Sequence, residues 1–336
     1  MSVEHARRAA GIDGLRAVAA LSVLVYHAWL YTLPTVDAGS TRTGLDYALH
    51  ELRLGLVLFF VLSGFLLYGP WVRSALEGST RPRVGAYLTR RAARIVPAYY
   101  LAILGSIALL WPIGDSPGVR LPPAEDLWLF AVFGQNLKES TLLRLDPPMW
   151  TLAVEVAFYL TLPLLGWIAV TMARRGGRAL QCVVPLAFGA LGLTWNYVLA
   201  DERQLNLSLL SKQLPAMAPY FALGMLAAVL VHGRSPSRRV VRLTVTLGCA
   251  AVLVDAALAI DEATRGSGAL WLRIWRDDLA ALGFAGILAV VATAQRPLRL
   301  LGHRSMAAIG RISYGIYLWH VPLLLVLRAN GLLPLG

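Results

Sequence analysis

The stretch GIDGLRAVAALSVLVYHAWLY, Gly11 to Tyr31, is apolar enough to sit in a bilayer, yet it carries Arg16 and His27. Ionisable side chains are rare inside membrane helices, face the bundle interior and mark functional sites. These two are eleven residues apart, three turns plus about 20° at 3.6 residues per turn, so they share one stripe and stand roughly 16 Å apart along the axis. They read as two stations on one path through a helical bundle.

The composition agrees. Hydrophobic residues make up 57% of 336 and charged ones 15%, where a soluble domain carries about a quarter charged. Mean hydropathy is +0.61. Apolar runs close to the ~20 residues that cross a bilayer fall at 12–31, 54–72, 95–112, 149–172, 181–199, 213–231, 243–260, 279–294 and 309–327. The segment DLWLFAVFGQN, 126–136, is too short to cross and reads as a half-buried or re-entrant piece. The expected fold class is all-α: a polytopic integral membrane helical bundle of about 9–10 transmembrane helices, one domain over 1–336. The first helix is not expected to be cleaved as a signal peptide, since it is long, holds Arg16 and precedes no small-x-small site. Cys182 and Cys249 lie inside apolar runs with no ligand pattern around them, so neither a disulfide nor a metal site is expected.

A net charge of +12 would suit nucleic acid, but the basic residues sit in short loops between apolar runs and so report topology; no nucleic-acid partner is expected. Sorted by alternating loops, nineteen Lys and Arg fall on the side of the N-tail and eleven on the other. The positive-inside rule then puts the N-terminus in the cytoplasm, the loop 73–94 cytoplasmic and the loop 113–148 external. The expected location is the inner (plasma) membrane, crossed many times, with the C-terminus outside after nine spans. In that frame helix one runs outward and helix four, opening PMWTLAVEVAFYL (148–160), runs inward. His27 and Glu155 are therefore expected at similar depth below the outer face.

Five blocks in order now carry a family resemblance. IDGLRAVAALSVLVYH, with ten residues between Arg16 and His27, is followed by FFVLSGFLL (59–67), RRAARIVPAYY (90–100), PMWTLAVEVAFYL and ISYGIYLWHVPL (312–323). Together they resemble the membrane acyltransferase-3 family, over nearly the whole chain from Gly11 to about Leu327. The resemblance implies an integral membrane O-acyltransferase, and the Ala/Arg/Leu-rich, Lys-poor composition suggests a bacterial source. It would move an acyl group, often acetyl, from acyl-CoA to a hydroxyl of a sugar, glycan, lipid or secondary metabolite such as a macrolide. Acyl-CoA is then a co-substrate, and no cofactor is bound permanently. No hydrolase-like domain is expected after Leu327, as in the standalone type of the family it resembles. The family gives its glutamate a catalytic or orienting role, which falls here on Glu155.

Moving an acyl group from thioester to hydroxyl needs a base near the alcohol proton and stabilisation of a tetrahedral oxyanion. Neutral imidazole suits the base, which points to His27. Glu155 either holds the other imidazole nitrogen, as the carboxylate of a Ser-His-Asp triad does, or binds the acceptor. No serine or cysteine stands out as a nucleophile by motif, so direct transfer is favoured. Ser63 in LSGF is the dissenting candidate, though Ser-Gly in a membrane helix commonly serves close packing.

Arg16, Arg90, Arg91 and Arg94 stand at the basic side, where guanidinium suits the phosphates of CoA; plain topological charge is the alternative. A pantetheine arm matches the roughly 16 Å between the two stations. Ser313, Tyr317 and His320 share a helix face at i, i+4 and i+7, with Tyr314 beside them. With Trp150 and Tyr100 they complete the candidate binding residues. A structural corner at His320 and Pro322, and an interfacial anchor at Trp150, are the bland alternatives. Asp255 is expected to snorkel to the outer surface. The rival class is a membrane transporter or flippase for a polar substrate, against which stands the lack of paired halves with matching interrupted helices. A homo-oligomer is left open.

Overall fold

A computed structural model describes residues 3–33, 44–201, 209–265, 270–293 and 300–333. Among them there is no strand. The helices are α1 (Val3–Leu30), α2 (Gly44–Glu51), α3 (Gly55–Leu76), α4 (Val84–Leu110), α5 (Trp128–Ala131) and α6 (Trp150–Asp201), followed by α7 (Leu214–Val231), α8 (Arg238–Arg265), α9 (Leu270–Thr293) and α10 (Arg304–Ala329). Every apolar run falls on one of the long helices. The chain is an all-α polytopic bundle.

Two of the runs share α6. Its backbone leaves the helical region at Gly176 and Gly177, the latter with a φ of 60°, a conformation that favours glycine. The helix is thus two arms, 150–175 and 178–201, folded at the basic turn. Seven segments of the described chain are long and apolar enough to cross a membrane, one of them holding both arms of α6. The α9 helix is not among the seven, because Arg273, Arg276, Asp277 and Asp278 crowd its start.

Glycine sets how closely the helices approach. A Cβ on Gly64 of α3 would collide with the carbonyl oxygen of Phe221 on α7, and one on Gly224 with that of Val61. The α1–α10 seam is built alike: Gly310 meets the carbonyl of Asp13, and Gly14 that of Leu301. Small residues let backbones touch where lipid offers no hydrophobic drive to association. Behind these seams Tyr68, Phe158, Phe221, Met225, Leu288 and Leu318 are fully buried, with the Phe158 and Phe221 rings stacked at 4.1 Å. Leu101, Leu104, Leu160, Leu164, Leu247 and Leu253 stay exposed on the outside of the bundle, as a lipid-facing surface requires.

The segment 114–149 is folded onto one end of the bundle, here called the loop end. Tyr99 Oη donates to the Phe130 carbonyl at 2.8 Å. Gln135 Nε2 donates to the Met149 carbonyl at 2.7 Å, and Asn136 Nδ2 to those of Trp150 at 2.8 Å and Lys212 at 2.7 Å. The segment 126–136 thus caps the start of α6.

Asp255 differs from the expectation. It is fully buried, 3.6 Å from Arg276 Nε, instead of reaching the surface. Arg53 clasps Asp277 at 2.6 and 2.8 Å and Glu51 at 3.1 Å, while Arg276 meets Glu262 at 3.0 Å. Cations from other parts of the fold keep the acid inside, a neighbourhood invisible along the sequence.

Candidate functional site

One cavity runs between α3, α4, α6 and α10, and α1 contributes Arg16 to its wall. Its layers follow from helix periodicity. On α4, Arg91 and Arg94 are three residues apart and share a face; with Arg16 they form the basic end of the cavity. Arg90 is exposed and lines no part of it. Arg16 has a partner on its own helix, Asp13 at 3.7 Å.

Midway, Ser63 Oγ donates to Glu155 Oε1 at 2.8 Å, so the motif serine binds the motif glutamate. Tyr314 lines the same layer and donates its Oη to the Ile95 carbonyl at 3.1 Å. Thr151 and Tyr159 flank Glu155 one turn to either side and also line the cavity; the i−4 and i+4 spacing around Glu155 was the signal that would have found them. Two groups are unspent: among the described residues Ser313 Oγ and Arg91 Nε are buried without a protein partner.

Toward the loop end the cavity closes on Tyr317. Its Oη lies 2.6 Å from Thr151 Oγ1 and donates to the Pro148 carbonyl at 2.9 Å, and Phe59 packs edge-on at 5.9 Å. One turn further along α10 is His320, 5% exposed, whose Nε2 is 3.1 Å from His27 Nδ1. Its own Nδ1 is 2.7 Å from the Tyr317 carbonyl, and His27 Nδ1 is 3.0 Å from the Val23 carbonyl. Asp146, just ahead of α6, is buried, and among the described residues neither carboxylate oxygen is bonded; burial pushes its carboxyl well above the usual range.

The structure therefore joins Arg16, Arg91, Arg94, Glu155, Ser313, Tyr314 and Tyr317 in one cavity, and pairs His27 with His320 beyond it. It does not pair His27 with Glu155. His320 lies three residues past Tyr317 toward the loop end and Glu155 four residues past Thr151 away from it, so roughly 10 Å of helix rise separates them. The equal-depth expectation counted turns from each helix end. Sequence alone does not say how far each helix end stands along the bundle. Trp150 is buried beneath the Lys212 ammonium, 4.7 Å from its ring, outside the cavity. Tyr100 is also outside it, donating to the Ala131 carbonyl at 2.6 Å and fastening the loop to α4.

Comparison with known proteins is consistent over the whole chain. The acyltransferase-3 family model, described as an acyltransferase domain, matches residues 9–334. The peptidoglycan O-acetyltransferase OatA of Listeria monocytogenes serovar 1/2a is 23% identical, over 93% of this chain and 49% of that protein. The O-acetyltransferase OatA of Staphylococcus aureus strain NCTC 8325 is 24% identical, over 95% and 51%. Nodulation protein 10 of Rhizobium leguminosarum bv. viciae is 26% identical, over 95% and 84%. The chain spans about half the length of these two O-acetyltransferases. No solved structure matches it.

Proposed function

We propose, because the chain belongs to the acyltransferase-3 family, that it is a multi-pass membrane O-acyltransferase that carries a short acyl group, acetyl first, from acyl-CoA to a hydroxyl of a glycan. The name of the Listeria relative, a peptidoglycan O-acetyltransferase, favours a glycan over the lipid and metabolite alternatives. The observation that carries the proposal is the order of groups along one axis. Three arginines come first, then the Ser63–Glu155 pair, then Tyr317, then the two histidines.

The roles follow from that order. Arg16, Arg91 and Arg94 take the phosphates of CoA at the cytoplasmic side, and the pantetheine arm runs along the cavity. The acceptor meets the thioester at the loop end, on the far side of the membrane. His27 takes the proton of the acceptor hydroxyl as its oxygen bonds to the thioester carbonyl. The C–S bond then breaks, and the same proton passes to the departing CoA thiolate. The products are an ester and CoA with a free thiol. Glu155, deeper in the cavity, binds the donor arm or shapes its passage and does not hold the imidazole.

The test is the purified protein in nanodiscs with labelled acetyl-CoA and a chito-oligosaccharide as acceptor. Ester product is expected, and His27→Ala or His27→Gln should lower turnover by about 10²–10⁴-fold while leaving CoA affinity unchanged. A thioester that survives intact, with the oligosaccharide carried across liposome membranes, would establish the transporter reading in its place.

A further inference from the structure

We infer that His320 is a positioning residue that holds His27 in the tautomer with hydrogen on Nδ1, leaving Nε2 as the bare, basic nitrogen. The connection to turnover rests on the acyl-transfer reading above; the tautomer itself does not.

The argument starts at a carbonyl, which can only accept. His320 Nδ1 lies 2.7 Å from the carbonyl oxygen of Tyr317, so its hydrogen sits there. A neutral imidazole carries one N–H, and its other nitrogen is then a lone pair. His320 Nε2 is therefore an acceptor. It stands 3.1 Å from His27 Nδ1, which must be the donor. A second acceptor gives the same answer independently: the Val23 carbonyl is 3.0 Å from that nitrogen. Both readings put the hydrogen of His27 on Nδ1. Among the described residues no protein group bonds its Nε2.

The arrangement does for His27 what a carboxylate does in a Ser-His-Asp triad, with a neutral acceptor in place of an anion. When Nε2 takes the acceptor proton, the Nδ1–H bond to His320 becomes charge-assisted and strengthens. The Val23 carbonyl, which as the i−4 carbonyl also receives the helical N–H of residue 27, accepts from the same nitrogen through its second lone pair. His320 is fixed from behind by its own helix and is buried, so its lone pair is aimed before any ligand arrives.

Two substitutions separate the idea from a packing role. In His320→Gln the amide oxygen reaches the place of Nε2 and still accepts from His27. In His320→Asn the amide reaches only the Tyr317 carbonyl, and His27 loses its partner. The full chain, labelled with ring-¹⁵N histidine in lipid nanodiscs, is examined by solid-state NMR, with the His27 signals assigned by their loss in His27→Gln. The wild-type chain and His320→Gln should show His27 protonated at Nδ1 alone, while His320→Asn shows a mixture of tautomers. Acetyl transfer to the chito-oligosaccharide should fall about 10–100-fold in His320→Asn with the KM for acetyl-CoA unchanged, and return to within a few-fold in His320→Gln. A wild-type His27 protonated at Nε2 overturns the inference, as does a His320→Asn protein with an unchanged tautomer and unchanged rate. Absence of transfer by the wild-type chain would instead count against the proposed function, with the tautomer still read from the spectra.

Discussion

Arg90, Arg91 and Arg94 are neighbours in sequence but not in role. Arg91 and Arg94 line the cavity with Arg16 while Arg90 lies outside it: at 3.6 residues per turn Arg94 stands about 60° from Arg91 and Arg90 about 100° from it. Replacing Arg16, Arg91 or Arg94 by Ala should weaken CoA binding by about 1.5–3 kcal/mol, the worth of a charged hydrogen bond. Lys at these positions should restore only part, lacking the planar fork, and Arg90→Ala should change little. Isothermal titration with CoA measures all of these. Much at this scale was legible. The spacing of Arg16 and His27 put both on one stripe of α1, and Glu155, Ser313, Tyr314 and Tyr317 line the cavity, while His27 and His320 meet beyond it. The partner of His27 was not legible, because a contact across 293 residues leaves no trace in local pattern.

Each apolar run had to become a helix, since a backbone in lipid must satisfy its own hydrogen bonds. Helix contacts are a different matter. Gly64 lies in a block noticed for its serine, but its lack of a side chain is what lets α3 and α7 touch. Gly64→Ala should force those helices apart and cost about 1–3 kcal/mol, as overpacking does, seen as a lower thermal midpoint in detergent. The loop 114–149 was the hardest element to foresee, because long-range bonds from side chains to backbone hold it in place. Within it, Lys138 donates to Asp126 at 2.7 and 2.9 Å and Ser140 donates as well; together they hold its carboxyl below the ordinary value. A depressed carboxylate stabilises above its unfolded pKa, and that support is lost as pH falls through the folded one. Thermal unfolding followed from about pH 7 down to about pH 3 should show the loop holding until the carboxylate range and loosening below it. Asp126→Asn should flatten that dependence.

Over the whole molecule, charge sets orientation. The basic turn of α6, the arginines of α4 and the start of α10 gather at one end, and the loop 114–149 lies at the other, so the positive-inside rule predicts a cytoplasmic basic end and an external loop end. Cysteines placed at 77 and 139 should react with an impermeant maleimide from opposite sides of sealed vesicles. Labelling of both from one side would reverse the assignment of every later helix.

The α1–α10 seam has a consequence in the order of synthesis. Arg16 and His27 leave the ribosome early, but Ser313, Tyr317 and His320 belong to the last helix described. At ~5–20 residues per second, the first helix waits tens of seconds in the membrane before its glycine-lined partner arrives. Until then the nascent chain holds His27 without its His320 contact and a cavity with one wall missing. Under the acyl-transfer proposal, a translation product interrupted before α10 would lack Ser313, Tyr317 and His320 and would transfer no acyl group.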